Sequence, residues 1–526
     1  MMKRQILILS IILVSIQALA LAKTRSTPTS LYPKIQDAIN ASAKGDTVAI
    51  LPGRHRINDA SIGGSMRLYV GYAGLDITIR SLNPDDPCTV ANTVIEGGFI
   101  IYSVTRKMVI NGLTIEGRYG GSRDGCNGGD TSGYCDANYP TDDGRTYAGD
   151  TTQPDNANKW IPGDPNGQNG WSIEGGGMYL GPNASPTVMN CVFNNCVAEG
   201  RDGGDGTGGG WGGWAGWGYG GAVYIGEHGN PLFKNCDFID CYAIGGDGGS
   251  NTSDRGRGGS WGSNNEPMGD PSATGTGFGW KWAPASGYSE IWRYSGLGGA
   301  VYCDEGSTPD FNNCNFVNNK AIGGSCGISD PARPYWPQQN YKIERHGGAV
   351  FCAADSAPDF NNCTFIGNEP DPNNNTEYSA TAHKNGPGVA DNPYIGFGGA
   401  VAYESGAAPK FTNCIFNDNT ANAGGAVFNE GGAGEFSKCS FEDNSALLGG
   451  AICMIDSTDK IAESQISHNQ ATTVGGGGGG IFILGSDAMI TDSAISDNTA
   501  SSGGGVFIDR GVTTLRICLV TCHSAN

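Results

Sequence analysis

The chain has 526 residues, 87 of them glycine, with 16% charged residues and a formal net charge of −20. So acidic a surface excludes a role built on phosphate contacts, which sets aside nucleic acid and anionic membranes as partners. So much glycine with so little charge does not fit a helical protein, and the in-register placement of Phe, Cys and Val does not fit a disordered one.

The chain opens with Met1-Met2-Lys3-Arg4, then an apolar run from Ile6 to Leu21 that ends Ala18-Leu19-Ala20-Leu21-Ala22. A positive start, an apolar middle and an A-x-A ending predict a signal peptide over 1–22. The run is short for a membrane anchor. The mature protein is therefore expected outside the cell or at its surface, where cysteines can form disulfides.

Residues 23–117 read as an N-terminal cap and the first coils of a solenoid. Tyr32 to Ala43 places Ile35, Ala38 and Ile39 on one helical face. Gly45-Asp46-Thr47-Val48 then begins a turn and a strand, and Leu75 to Ser81, Thr93 to Gly97 and Lys107 to Gly117 alternate as strands. The helix is expected to close the open end of the stack, which would otherwise be a bare sheet edge. Residues 118–171 read as an insertion.

From 172 to 526 two motifs alternate. The first is Gly-Gly-small-aliphatic-aromatic, as in Gly220-Gly221-Ala222-Val223-Tyr224, Gly298-Gly299-Ala300-Val301-Tyr302 and Gly424-Gly425-Ala426-Val427-Phe428. The second is Pro-x-Phe-x-Asn-Cys-x-Phe-x-x-Asn, as in Pro309 to Asn319 and Pro358 to Asn368. Cys414 and Cys439 are 25 residues apart, and Ser464 follows after another 25. Such a unit holds three short β-prone pieces and is too small for a strand and a helix. It suits one coil of an all-β, single-stranded, right-handed parallel β-helix with a short N-terminal capping helix. Coils stacked about 4.8 Å apart would line up like residues. Phe193, Phe238, Phe316, Phe365, Phe416 and Phe441 form one file, continued by Ile466 and Ile495. Val188, Phe233, Phe311, Phe360, Phe411 and Phe436 form another, continued by Ile461 and Ile490. Cys191, Cys236, Cys314, Cys363, Cys414 and Cys439 form a third, read as small buried thiols with Ser464 and Ser493 as replacements. Vertical disulfides are the alternative, since a spacing of about 4.8 Å is within bonding range, although the serines show that the fold does not require them. Asn319, Asn368, Asn419, Asn444, Asn469 and Asn498 form an amide ladder. The Gly pairs fit turns with positive φ.

Long insertions interrupt the repeat at one register, at about 198–219, 243–297, 321–346 and 369–397, so they emerge on one side of the solenoid. Trp211, Trp214, Trp217, Trp261, Trp280, Trp282, Trp292 and Trp336 lie in them. Their faces suit sugar rings; alternatively they pack the loops against one another. Asp202 and Asp205 are candidate Ca²⁺ ligands, or simply solvated acids. Cys126 and Cys135 share one loop and are a candidate disulfide. No cofactor is required. The segment Leu515 to His523 reads as the start of an incomplete C-terminal coil, an end that a partner chain could cover.

Tyr32-Pro33-Lys34-Ile35-Gln36-Asp37-Ala38-Ile39 with Gly45-Asp46-Thr47-Val48 resembles the opening of pectin-lyase-like β-helix proteins. The repeats from Gly175 onward resemble those of chlamydial-type polymorphic outer membrane proteins. The second resemblance implies a surface-exposed passenger whose usual role is adhesion, although the membrane barrel of that family is missing from this sequence. The first implies a polysaccharide lyase or glycoside hydrolase, which needs a base beside carboxylates, or two carboxylates about a glycosidic bond. No Asn-Thr-Asp with a following Asp-Asp, no Gly-His-Gly loop and no Trp-x-Asp-His signature is present, and the six His are scattered. The leading expectation is a non-catalytic β-helix binding a polysaccharide or cell-surface ligand through its insertion face. A lyase or hydrolase, and a purely structural surface protein, are the alternatives.

Overall fold

The computed structural model describes residues 22–57, 67–71, 74–120, 172–202, 216–246, 296–323, 345–370, 396–472, 477–516, 518–521 and 524–525. Three long parallel sheets run through them. Sheet A has 13 strands, sheet B 12 and sheet C 11. Each coil contributes one strand to each, as in Val301–Cys303 for sheet C, Asp310–Asn312 for sheet A and Asn315–Val317 for sheet B. Every strand pairs with its counterpart one coil away, so the molecule is a parallel β-helix.

The predicted files are the packed lumen. Phe316 pairs in register with Phe365, Phe365 with Phe416, and Phe416 with Phe441. Their rings stack at 4.6 to 4.8 Å with interplanar angles of 3 to 4°. The second file stacks alike, and the two meet edge to face, as Phe411 does with Phe416 at 5.5 Å. Offset stacking down each file and T-shaped contact between files satisfy the ring quadrupoles while burying the full apolar area.

The asparagine ladder stands as expected and carries more than side-chain bonds. Asn419 Nδ2 donates to Asn444 Oδ1 at 3.0 Å and to the Phe365 carbonyl at 3.0 Å, and its backbone N–H donates to the same Oδ1 at 3.0 Å. Each amide thus answers backbone groups that the corner would otherwise leave unpaired in the interior.

The cysteine file is buried, as expected. Its position is polar as well as small. Where serine stands there, the Cys439 N–H donates to Ser464 Oγ at 3.0 Å, and Ser464 Oγ donates to the Ala462 carbonyl at 2.8 Å. Cys439 Sγ makes the matching contact to the Ser437 carbonyl at 3.4 Å. Serine fits the same corner as cysteine, since each sets one small polarisable or polar atom beside the carbonyl two residues back.

The two glycines of each pair do different work. The first turns the chain, with φ of 64° at Gly298 and 63° at Gly424. The second allows close stacking, since a Cβ on Gly299 would lie 2.0 Å from the Gly348 carbonyl oxygen.

At the N-terminus the helix is shorter than expected. It spans Ile35–Asn40, with Ile35, Ala38 and Ile39 buried. The Gln36 side chain accepts from the Tyr69 N–H at 2.8 Å and donates to the Tyr69 carbonyl at 3.0 Å. Tyr69 lies on the first strand of sheet C, so this amide pairs with an edge that has no preceding coil. Several elements were not anticipated, strands Gly53–Arg56, Arg67–Val70 and Gly98–Ile101 among them. Strand Thr24–Thr27 begins sheet A, and a helix over Pro87–Ala91 is capped by Asp86. Asp followed by Pro at the first helical position was the available signal for that helix. At the other end, strands Val506–Asp509, Thr514–Arg516 and Leu519–Thr521 extend sheets C, A and B.

Candidate ligand-binding face

Each insertion leaves and returns through short stacked strands. Val197–Glu199, Tyr242–Ile244 and Lys320–Ile322 belong to the outgoing stack. Gly218–Tyr219, Gly296–Leu297 and Arg345–His346 belong to the returning one. The ends of the insertions are therefore part of the regular framework, and both stacks lie at one corner of every coil they serve.

The returning stack packs along the outer face of sheet C. Strand alternation turns Val223 and Ile225 inward and Tyr224 outward. The outward file on sheet C runs Tyr179, Tyr224, Tyr302, Phe351, Ala402, Phe428, Cys453, Phe482 and Phe507. The file on the returning stack runs Glu174, Tyr219, Leu297, His346, Phe397 and Ala423. The two interlock as a second apolar cluster outside the lumen. Tyr219 meets Tyr302 edge to face at 4.9 Å, and Phe397 stacks on Phe428 at 4.6 Å beside the small Ala402.

Toward the N-terminal end this seam becomes polar. Tyr69, Tyr102, Tyr179 and Tyr224 follow one another at 5.9, 5.6 and 5.3 Å, and Tyr302 continues the file at 5.4 Å. Between Tyr179 and Tyr302 the ring faces cover each other, and Tyr179 and Tyr302 themselves are buried. Tyr224 donates to Asp304 Oδ2 at 2.5 Å, and the Glu305 N–H donates to Asp304 Oδ1 at 2.9 Å. Burial pushes the Asp304 carboxyl above the ordinary range, against the lowering effect of these bonds. Burial, with Glu174 and Asp304 nearby, pushes the Tyr224 phenol well up. Glu404 lies further along and accepts the Ala354 N–H at 2.8 Å. Glu174, Tyr219, Tyr224 and Asp304 are all partly exposed, which leaves this cluster within reach of a ligand.

Arg67 sits beside the cluster, with Nη2 donated to the Glu174 and Gly175 carbonyls at 2.8 and 2.6 Å. Among the described residues no three His, Cys, Asp or Glu side chains come together as metal ligands. His468 is exposed and 3.7 Å from Glu442, away from the seam.

Of the predicted tryptophans, Trp217 is placed. It precedes the returning strand Gly218–Tyr219, is half-buried, and packs on Tyr219 at 5.7 Å. Trp211, Trp214, Trp261, Trp280, Trp282, Trp292 and Trp336 lie outside the described residues, as do Asp205, Cys126, Cys135 and residues 1–21. Asp202 stands at the foot of its insertion, next to Arg201, whose carbonyl accepts the Gly216 N–H at 2.7 Å. The tyrosines and Asp304 were missed as site residues. Their signal was present, since the aromatic ending of the Gly-Gly motif lies between two inward aliphatic residues and so faces out.

No protein-family model matches the sequence, and no curated protein matches it. Two solved structures are similar in shape. One is a mannuronic-acid-specific family 6 polysaccharide lyase from human gut microbiota. It is 7% identical, with a TM-score of 0.29 over 95% of this chain and 83% of that one. The other is the receptor-binding domain of the siphovirus 9NA tailspike. It is 9% identical, with a TM-score of 0.29 over 95% of this chain and 74% of that one. Likenesses this distant leave function to be argued from the seam itself.

Proposed function

We propose that this chain is an exported, non-catalytic β-helix that binds a polysaccharide along the seam between sheet C and the returning strands. The carrying observation is the partly exposed cluster of Glu174, Tyr219, Tyr224 and Asp304 at the base of the insertions. The Tyr219 and Tyr224 phenols and the Glu174 and Asp304 carboxylates offer hydrogen-bond partners to sugar hydroxyls, with Trp217 supplying an apolar wall. The resemblance of the repeats to those of surface-exposed passengers supports the same reading. Elimination is disfavoured by the chemistry of the groups present. A phenol held well above its usual range is a poor general base near neutral pH, and Arg67 Nη2 already serves two carbonyls.

A glycan array run beside an assay for reducing and unsaturated ends tests the proposal. Binding without turnover is expected, and Asp304→Asn should weaken it about 10-fold, the effect of losing a charge-assisted hydrogen bond. Release of new sugar ends would favour a lyase or hydrolase. Neither binding nor turnover would leave a structural surface protein.

A further inference from the structure

The buried cysteines are arranged in runs. Cys191, Cys236, Cys314, Cys363, Cys414 and Cys439 occupy one corner of six successive coils, fixed in register by the flanking strand pairs. Cys196 and Cys241 occupy the next corner of two successive coils. Cys303 and Cys352 are direct partners on sheet C. All ten are buried. The runs therefore hold six, two and two residues, each an even number. Among the described residues, Cys453 and Cys518 have no such neighbour. Cys453 lies between Phe428 and Phe482, and Cys518 is stacked on Ser493.

Stacked coils bring equivalent Cα atoms about 4.8 Å apart, inside the range of about 4.4–6.8 Å that a disulfide spans. We propose that the cysteines of each run close vertical disulfides between adjacent coils, so that Cys191–Cys236, Cys314–Cys363, Cys414–Cys439, Cys196–Cys241 and Cys303–Cys352 form when the chain folds in an oxidising medium. This is independent of any ligand.

The oxidant is a small-molecule disulfide. One cysteine thiolate attacks it and forms a mixed disulfide, releasing the first small thiol. The neighbouring thiolate then attacks the protein sulfur of that mixed disulfide, releasing the second. The two protein thiols are oxidised, and one small disulfide is reduced to two thiols. Once the lumen is complete, burial pushes thiols such as Cys191 and Cys352 up and out of reach. Pairing therefore occurs at the growing end of the stack. A solenoid builds by nearest-neighbour contacts, and the newest coil stays open until the next one covers it. The bond clamps adjacent coils, which suits a molecule whose lumen is only one coil wide.

The test folds the full chain with oxidised and reduced glutathione, alkylates it in denaturant without reduction, and maps its peptides by mass spectrometry. Cross-linked peptides joining the five adjacent-coil pairs are expected, with Cys88 and Cys453 alkylated in the same sample. In Cys414→Ser/Cys439→Ser one cross-link should vanish while the other four persist. That variant should still fold, because serine already fills the same corner at Ser464 and Ser493. Alkylation of all ten cysteines to the level of Cys88, or links between non-adjacent coils, would overturn the proposal.

Discussion

The two halves of the outer seam share one backbone and differ in chemistry. Where insertions enter, it carries Tyr179, Tyr224 and Tyr302 with Glu174 and Asp304. Past the last insertion it carries Phe428, Phe482 and Phe507, packed with Leu448, Ile455 and Leu484. The lumen beneath changes far less, with Phe or Ile files continuing through both halves and asparagines taking over from Cys196 and Cys241 at one corner from Asn319 onward. Coil register is thus maintained from inside, which leaves the outer file free to vary. In the C-terminal half that freedom makes an apolar seal, and in the other half a row of hydroxyls and carboxylates.

The comparison breaks most directly at Phe428. Phe428→Ala should cost about 3 kcal/mol of stability, since it removes a buried ring, and leave glycan affinity unchanged. Chemical denaturation and binding measured on one preparation check both. A loss of binding there would erase the distinction between the halves.

Asp459 gives the C-terminal half a pH response. Its carboxylate accepts from Tyr403 at 2.8 Å, Asn429 at 2.7 Å, Ser457 at 3.1 Å and the Gly434 N–H at 2.6 Å. Glycine at 432 and 434 makes room for the inward Tyr403 ring. Burial nevertheless raises this carboxyl from 3.8 to about 6, so the folded state holds the proton more tightly than the unfolded one. Its contribution is greatest below the unfolded value and is lost as pH rises through the folded one, by roughly 3 kcal/mol. Asp459→Asn should flatten that part of the profile, read from unfolding midpoints across the interval. An unchanged slope would assign the pH dependence elsewhere.

Tyr224→Phe sharpens the other half. The ring stack on Tyr179 and Tyr302 is kept and the bond to Asp304 is lost. Stability should fall by about 1 kcal/mol, while glycan affinity falls about 10-fold. Equal affinity for both proteins would reduce the polar half to a packing variant of the apolar one.

The smallest effect is expected at Asn413, part of an exposed amide file in which its Nδ2 donates to Asn362 at 2.8 Å. Asn413→Gly, which removes the amide but keeps the left-handed backbone of φ 53°, should change stability by less than about 0.5 kcal/mol. A large loss would mean that exposed and buried amide ladders carry similar weight.

Much of the fold was readable because a coil's lumen repeats its own residues. Phe365 and Phe416 recur at the same motif position because each needs the other's ring, and Asn419 recurs because each amide answers the next. Strand Thr24–Thr27 was harder to read, since a four-residue polar strand has no alternation to display. The site was readable only in part. The motif's aromatic position was plain, but Trp217 and the other tryptophans drew attention to the insertions and away from their base.

The sequence by itself determined the coil, its period and its inward files, because residues that must stack on their own kind are written at regular intervals. Only the tertiary structure decided the outer seam. Glu174, Tyr219, Tyr224 and Asp304 share no interval, since insertions of unequal length separate them along the chain. They meet because each insertion must return to the corner it left, and that closure is a property of the stacked backbone.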